Sequence, residues 1–166
     1  KRGRVYLVDG GVKLTPPVWS RESEVMNEGD RGLLGIAVDP DFAVNRLVYL
    51  LYTVDPDSNG VDEDNGFGRL TRYQLTTGSP PALDPATRAI LMGVDWTRGA
   101  LPDFGSHTVG GLRWGSDRSL LVTIGDGAAY SQVDEGGLDS TAFGVGKTDP
   151  SEDIGAFRAQ DINSLC

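Results

Sequence analysis

The sequence predicts an all-β fold, and three observations support that prediction. Glycine accounts for 23 of the 166 residues, about twice its usual share, and proline for 9. Such a content without collagen periodicity indicates many tight turns, and therefore many short strands. Strand-like segments follow one another at short intervals, and no stretch of a dozen residues holds a helical period between capping residues.

Four strands are predicted in the first third of the chain. Arg4 to Val8 alternates in polarity and ends at an Asp-Gly-Gly turn sequence, and Val18 to Ser20 follows two prolines. Leu33 to Val38 is apolar and stops at an Asp-Pro-Asp turn sequence. Arg46 to Val54 is rich in Val, Leu and Tyr, the residues that strands favour.

Four more strands are predicted downstream. Gly68 to Leu75 alternates cleanly, and Arg88 to Val94 is mostly apolar. Val109 to Trp114 and Leu120 to Ile124 flank a short Gly-Ser-Asp segment, which predicts a hairpin that turns near Ser116 and Asp117.

One strand–turn unit occurs twice. Ile36–Asp41 reads like Leu112–Asp117, 76 residues later, and a glycine stands just before each copy (Gly35, Gly111). In both copies a second strand opens a few residues after the turn. A unit that recurs at this interval, with two more strands between the copies, is typical of a four-stranded propeller blade.

Counting strands in groups of four predicts about two blades, each a four-stranded antiparallel sheet. Residues 1–21 are then the end of one blade, 33–95 a complete blade, 109–126 the start of the next and 127–166 a long loop. A propeller closes into a ring because exposed strand edges invite aggregation. We therefore expect 1–166 to be one incomplete propeller domain, whose remainder is missing sequence or another chain.

The charge excludes some function classes. A net charge of −9 and a pI near 4.5 argue against nucleic acid and anionic membrane surfaces, which require basic proteins. The longest apolar runs, such as Leu47–Tyr52, are too short to span a bilayer. A neutral substrate such as a sugar is compatible with this charge, and calcium is attracted by it.

His107, the single histidine, is the first candidate for chemistry. Reflection through the predicted turn places it opposite Asp126, so both side chains should emerge at the same end of the hairpin. A carboxylate beside an imidazole fixes its tautomer and stabilises its positive charge after it accepts a proton. The alternative is a structural His–Asp hydrogen bond, and the spacing alone does not decide between the two.

A second candidate is an acidic segment after the fourth predicted strand. Asp55, Asp57, Asn59 and Asp62 place oxygen ligands along it, as in the first half of a calcium loop. The twelfth position, where a bidentate Glu is expected, is Gly66. A solvated acidic connection between strands is therefore the favoured alternative.

Several motifs resemble those of the glucose/sorbosone dehydrogenases, a family of soluble quinoproteins. The resemblance lies in Glu28–Phe42 (EGDRGLLGIAVDPDF), His107–Leu112 (HTVGGL), Gly115–Asp117 and Val122–Gly127 (VTIGDG), and it continues to Asn163–Cys166. These motifs stand in the order and at the spacing of that family.

The resemblance implies a six-bladed β-propeller that oxidises an aldose sugar at C1 to its lactone. It implies pyrroloquinoline quinone (PQQ) as cofactor, calcium that polarises it, a further electron acceptor and a periplasmic or secreted location. His107 corresponds to the catalytic base and Asp126 to the carboxylate beside it. Asp30 and Ser106 correspond to positions near the sugar, although the family often has aspartate where Ser106 stands.

Two consequences follow for this chain alone. The groups that bind the cofactor are expected beyond Cys166, so the chain by itself is not expected to be active. The same scaffold also resembles hedgehog-interacting proteins, which implies an alternative: a non-enzymatic propeller that acts as a protein-binding or calcium-dependent binding module. Fold does not decide between these functions; the site does.

Overall fold

The computed structural model describes residues 1–56, 58, 66–95, 98–100, 105–128, 133–135 and 155–160. Within these residues the strands are β1 (Arg4–Val5), β2 (Val8–Asp9), β3 (Val12–Lys13), β4 (Trp19–Ser20), β5 (Leu33–Val38), β6 (Leu47–Val54), β7 (Phe67–Gln74), β8 (Ala89–Met92), β9 (Val109–Trp114) and β10 (Leu120–Ile124). Helical structure in this part of the chain consists of one turn, α1 (Phe42–Asn45), and the 3₁₀ helices Pro85–Thr87 and Gly155–Gln160. All strand pairs among these residues are antiparallel, which confirms the predicted all-β class.

The central element is a four-stranded sheet with the order β5-β6-β7-β8. β6 pairs with β7 along its whole length, from Leu47 opposite Gln74 to Val54 opposite Phe67. The sequence of β6 is an almost unbroken run of Leu, Val and Tyr, as expected of a strand that is buried on both faces. The limits of the four strands lie within two residues of those that the sequence predicts.

The two faces of β6 pack against different neighbours, because side chains alternate along a strand. Tyr52 packs in one hydrophobic cluster with Trp19 of β4, with ring centroids 5.6 Å apart. Tyr49 points the other way and meets Trp114 of β9 edge to face at 5.3 Å. The four-stranded sheet therefore lies between the N-terminal strands and the β9–β10 hairpin.

The sheet of β5 and the hairpin of β9 approach each other closely. The indole Nε1 of Trp114 donates a hydrogen bond to the carbonyl of Val38 at 2.8 Å. A β-carbon at Gly35 would lie 2.9 Å from Leu51 Cβ and 3.1 Å from Leu112 Cγ, so the glycine permits this approach. β5 and β9 begin 76 residues apart, the interval of the sequence repeat.

The structure differs from the sequence prediction at two places. Val8 does not end the first strand but opens a separate hairpin of β2 and β3, whose two-residue loop is Gly10 and Gly11, both at positive φ. The predicted strands also left out α1, a single helical turn that ends where Arg46 adopts a left-handed conformation at φ 56°. Both elements are too short to give a periodic signal.

Glu24 ties the segment before β5 to β6, to β7 and to the residue that precedes β8. Its Oε1 atom accepts hydrogen bonds from the Tyr52 hydroxyl at 2.7 Å, from Arg69 at 2.9 Å and from Arg88. Burial opposes ionisation of this carboxyl, but the hydrogen bonds and the charge of Arg88 outweigh it and lower the pKa of Glu24. Sequence patterning gave no sign of this cluster, because its members are distant along the chain.

The remaining observations concern the tail and membranes. Of the predicted loop 127–166, the described residues are 127, 128, 133–135 and 155–160, and the last six form a 3₁₀ helix. The other residues of that loop lie outside the described part, and the proposed blade boundaries stay a prediction.

None of the helices within the described ranges has the length and apolar character needed to cross a membrane.

Candidate functional site

The hairpin of β9 and β10 positions the candidate site. Its loop is closed by a hydrogen bond from the Arg118 N–H to the Gly115 carbonyl at 3.0 Å, and Arg118 adopts φ 69°. This is a three-residue loop whose last residue is left-handed, a common hairpin connection. Leu120 consequently pairs with Trp114, and the turn is centred on Asp117 rather than between residues 116 and 117.

A register shift then brings His107 and Asp126 into line. The ladder is irregular between Val122 and Ile124, and Ile124 pairs with Val109. Without that shift the register would place His107 opposite Gly127; with it, the opposite residue is Asp126. The bulge thus compensates for the half-residue displacement of the turn.

The two side chains are in contact. Nδ1 of His107 lies 2.9 Å from Oδ1 of Asp126, and the same oxygen accepts the N–H of Ala128 at 3.1 Å. A carboxylate can only accept, so in the neutral imidazole this contact favours the tautomer with the hydrogen on Nδ1 and the lone pair on Nε2. The His107 side chain is 47% exposed, and none of the described residues forms a hydrogen bond with its Nε2. The imidazole thus offers a basic nitrogen to solvent or to a ligand.

The backbone of His107 is held in an uncommon conformation. Its φ of 52° lies in the left-handed region, which residues other than glycine rarely adopt. The His107 carbonyl accepts the N–H of Gly127 at 2.9 Å, and the Thr108 carbonyl accepts the N–H of Gly125 at 2.7 Å. These two bonds close the mouth of the hairpin and fix the direction in which the imidazole leaves the chain.

Asp30 lies beside this pair. Its Oδ2 accepts the His107 N–H in a long hydrogen bond of 3.4 Å, and its own N–H donates to the Gly105 carbonyl at 2.9 Å. The Thr108 hydroxyl donates to the Asp30 carbonyl at 3.2 Å. The loop before β5 is therefore attached to the segment before β9, and a second carboxylate stands next to the histidine.

Ser106 is placed differently from the other three predicted site residues. It is buried, with 4% exposure, and its hydroxyl donates to the Ala128 carbonyl at 2.7 Å. The structure thus brings Asp30, Ser106, His107 and Asp126 together but turns the Ser106 hydroxyl toward the protein. Contact between Ser106 and a substrate stays a prediction.

Sequence reasoning missed the role of Ala128, whose N–H and carbonyl are both engaged at the site. No residue-type signal could have found it, because both contacts come from the backbone. The glycines around the hairpin mouth were a usable signal. A β-carbon at Gly125 would overlap the carbonyl of His107, so only glycine fits there.

The acidic segment is only partly described. Asp55 is buried, and its Oδ1 accepts the Ser58 N–H at 3.0 Å. Asp57, Asn59 and Asp62 lie outside the described residues. Among the residues that are described, no group of three or more His, Cys, Asp or Glu side chains is placed to hold a metal ion. Calcium binding by this segment stays a prediction.

A cavity of about 800 Å³ lies elsewhere, between the N-terminal strands and the central sheet. Its lining includes Trp19, Glu24, Arg69 and Arg88, and none of the residues around His107 contributes to it. Arg69 and Arg88 of this lining already form ion pairs with Glu24. We therefore assign the candidate chemistry to the hairpin mouth, where the basic nitrogen of His107 is exposed.

Comparison with known proteins decides the family. The sequence model of the glucose/sorbosone dehydrogenase family matches residues 1–144. The chain belongs to this family. The predicted family is thereby confirmed over residues 1–144, which include the motifs around Asp30, His107 and Asp126.

Solved structures of glucose/sorbosone dehydrogenase relatives share the fold. A glucose dehydrogenase matches with a TM-score of 0.56 and 23% identity, over 76% of this chain and 33% of that one. A putative glucose dehydrogenase from Thermus thermophilus matches with a TM-score of 0.53 and 25% identity, over 75% and 32%. The soluble aldose sugar dehydrogenase of Escherichia coli, in its apo form, matches with a TM-score of 0.51 and 20% identity, over 76% and 33%. This chain of the family forms about two blades of a six-bladed β-propeller and spans about one third of these structures.

Two hedgehog-interacting proteins are also similar to part of this chain. Hedgehog-interacting protein of Mus musculus is 24% identical over 106 residues, which cover 64% of this chain and 14% of the relative. The Homo sapiens protein of the same name matches over the same extent at the same identity. This glucose/sorbosone dehydrogenase family member therefore spans about one seventh of those relatives.

Proposed function

We propose that the intact protein oxidises an aldose sugar at C1 to its lactone, with His107 as the general base. The observation that carries the proposal is the 2.9 Å contact between His107 Nδ1 and Asp126 Oδ1 on an exposed rim. Membership of a sugar dehydrogenase family supports the substrate class. The net charge of −9 is compatible with a neutral sugar.

The residues of this chain act on the sugar hydroxyl. Asp126 holds the Nδ1 hydrogen, so that the lone pair of Nε2 can accept the proton of the C1 hydroxyl. As His107 becomes positively charged, the adjacent carboxylate stabilises it. When it is ionised, the Asp30 carboxylate can only accept hydrogen bonds. It can therefore accept one from a further hydroxyl of the same sugar and orient that hydroxyl.

The cofactor that we propose is PQQ with calcium. When bound, this pair would accept the hydride that leaves C1 as the lactone carbonyl forms. The described residues around His107 supply a base and carboxylate acceptors, and these fit the side of the site that faces the sugar. They offer nothing that would hold an anionic quinone, and the residues for that task are expected beyond Cys166.

The test uses the intact protein, supplied with the quinone, calcium, an aldose and an artificial electron acceptor. We expect turnover, and we expect His107→Ala to lower it by about 10²- to 10⁴-fold, the usual contribution of a general base. Asp126→Asn should lower turnover through loss of the tautomer preference. Asp117→Asn is the matched control: Asp117 lies in the exposed turn at the other end of the hairpin, and this variant should remain as active as the wild type. Unchanged turnover in His107→Ala would remove this residue from the mechanism.

The second candidate is a non-enzymatic propeller that acts as a protein-binding or calcium-dependent binding module. It is supported by the similarity to hedgehog-interacting proteins over 106 residues. The two candidates differ in whether the intact protein carries basic groups that hold the quinone, as an enzyme of this kind requires. Failure of the intact protein to bind the quinone, measured by calorimetry, would favour the binding module.

We further propose a periplasmic or secreted location and a separate electron acceptor as partner. Both proposals rest on the family alone. Activity of the intact protein in the extracellular or periplasmic fraction of the source cells, rather than in the cytosol, is the expected result.

A further inference from the structure

We infer that Ser106 is a positioning residue: its buried hydroxyl fixes the Ala128 backbone, which fixes Asp126 and thereby the tautomer of His107. The catalytic part of this inference rests on the proposed function, whereas its structural part does not. It replaces the expectation that Ser106 touches the sugar.

The first step is the burial of the Ser106 side chain. Ser106 is 4% exposed, and Ala128, to which it donates at 2.7 Å, is 3% exposed. Rotation of this hydroxyl toward a ligand would cost free energy, because it would break the hydrogen bond to the Ala128 carbonyl inside the protein. The Ser106 hydroxyl therefore bonds to the protein and not to a ligand.

The second step is the turn from Asp126 to Ala128. The Ala128 N–H donates to Asp126 Oδ1 at 3.1 Å, which is a side-chain turn of the aspartate over its own backbone. The Ser106 bond anchors the other side of the same residue. Both polar backbone groups of Ala128 are therefore fixed, and Asp126 Oδ1 is held against His107.

The third step is the register between the two segments. Ser106 and His107 are adjacent, and Asp126 and Ala128 are two residues apart, so three bonds join the same two stretches of chain. They are the Ser106 hydroxyl to Ala128, the Gly127 N–H to the His107 carbonyl at 2.9 Å, and His107 Nδ1 to Asp126. Loss of the first leaves Ala128, and through it Asp126 Oδ1, less firmly held against His107.

The direct test is nitrogen NMR of the imidazole in the intact protein without cofactor. His107 is the single histidine of this sequence, and the spectrum of His107→Ala identifies its signals in the intact protein. We expect the wild type to carry its hydrogen on Nδ1. We expect Ser106→Ala to raise the ratio of the Nε2–H to the Nδ1–H tautomer by about fivefold, the effect of losing one neutral hydrogen bond.

The matched control is Ser119→Ala. Ser119 also donates its hydroxyl within the β9–β10 hairpin, to Asp117 at 2.7 Å, but at the exposed turn. The substitution is chemically identical and should leave the tautomer ratio unchanged. An unchanged ratio in Ser106→Ala as well would overturn the inference.

Kinetics of the loaded protein separate positioning from substrate contact. Positioning predicts that kcat falls about 10-fold in Ser106→Ala while KM stays within about twofold of the wild type. A raised KM with an unchanged kcat and tautomer ratio would restore Ser106 as a sugar contact and overturn the inference. If the wild type shows no turnover, the proposed function fails, and the tautomer ratio still decides the role of Ser106.

A second variant covers the case in which Ser106→Ala does not fold. Ser106→Cys keeps the shape of the side chain, with a somewhat larger terminal atom, and keeps a weak donor. It should show a smaller shift in the tautomer ratio in the same direction. No shift in this variant would contradict the inference.

Discussion

Gly125 lies directly against the carbonyl group of His107. A β-carbon at position 125 would overlap that carbonyl and come within 3.0 Å of the His107 Cα atom. The obstacle is backbone on both sides, and the His107 carbonyl also accepts the Gly127 N–H, so neither strand can give way without losing a hydrogen bond. The direction of the imidazole therefore depends on a residue that has no side chain.

We predict that Gly125→Ala removes most of the sugar oxidation of the intact protein. The methyl group would displace the His107 backbone by about 1 Å, and a displacement of this size costs about 100-fold in rate. The measurement is kcat in the loaded protein, together with thermal unfolding to show that the variant is folded.

Gly111→Ala is the control for that substitution. Gly111 lies on β9 of the same hairpin, but the nearest atom to an added β-carbon is Thr123 Oγ1 at 3.8 Å, an ordinary contact. This variant should keep its activity within about twofold, because nothing has to move. Equal losses in both variants would mean that the hairpin, and not the position of His107, is what the substitution disturbs.

Much of the fold could be predicted because its signals are local. β6 is long and apolar, and β7 is long and alternating. Three of their four ends differ from the prediction by one residue, and the fourth agrees with it. The hairpin of β2 and β3 could not be separated from β1, since each of these strands has two residues and two residues carry no period. The Asp-Gly-Gly turn was visible, but not which strands it joins.

The site was predictable to the extent that it depends on register. Reflection through the turn pairs His107 with Asp126, and the observed contact agrees, but for a reason that the sequence did not contain. The turn is displaced by half a residue, and the bulge near Val122 restores the alignment. The burial of Ser106 was beyond prediction, because it depends on Ala128, a residue with no polar side chain.

We predict that Trp114→Phe weakens the junction between the central sheet and the β9–β10 hairpin. The variant loses the hydrogen bond from the indole to the Val38 carbonyl and part of the edge-to-face contact with Tyr49. These losses should lower the free energy of unfolding by about 1–2 kcal/mol, measured by denaturant titration of the intact protein.

The control for the junction is Arg118→Ala. Arg118 also joins the two sheets, through an ion pair with Asp41, but both side chains are more than half exposed. Solvent screens such a pair, so its loss should leave the free energy of unfolding almost unchanged. A larger effect from Arg118→Ala than from Trp114→Phe would show that charge, and not packing, holds the hairpin in place.

The last prediction concerns acid stability and Glu24. Burial alone would raise the pKa of this carboxyl, but its hydrogen bonds with Tyr52, Arg69 and Arg88 lower it below the ordinary value of 4.5. Because the folded pKa is the lower one, the stabilisation is complete above about pH 4.5 and is lost as the pH falls through the folded value. Glu24→Gln should therefore cost about 2 kcal/mol at pH 7, and the difference from the wild type should shrink below pH 4.5.

Glu22→Gln is the matched control, since Glu22 pairs with Arg4 on the surface only two residues away. It should change the free energy of unfolding by less than about 0.5 kcal/mol at either pH. The measurement is denaturant unfolding of the three proteins at pH 7 and at about pH 3, below the range in which a free Glu carboxyl ionises. If the difference between Glu24→Gln and the wild type is the same at both pH values, protonation of Glu24 does not change the free energy of unfolding. The cluster would then depend on the shape of the Glu24 side chain and not on its charge.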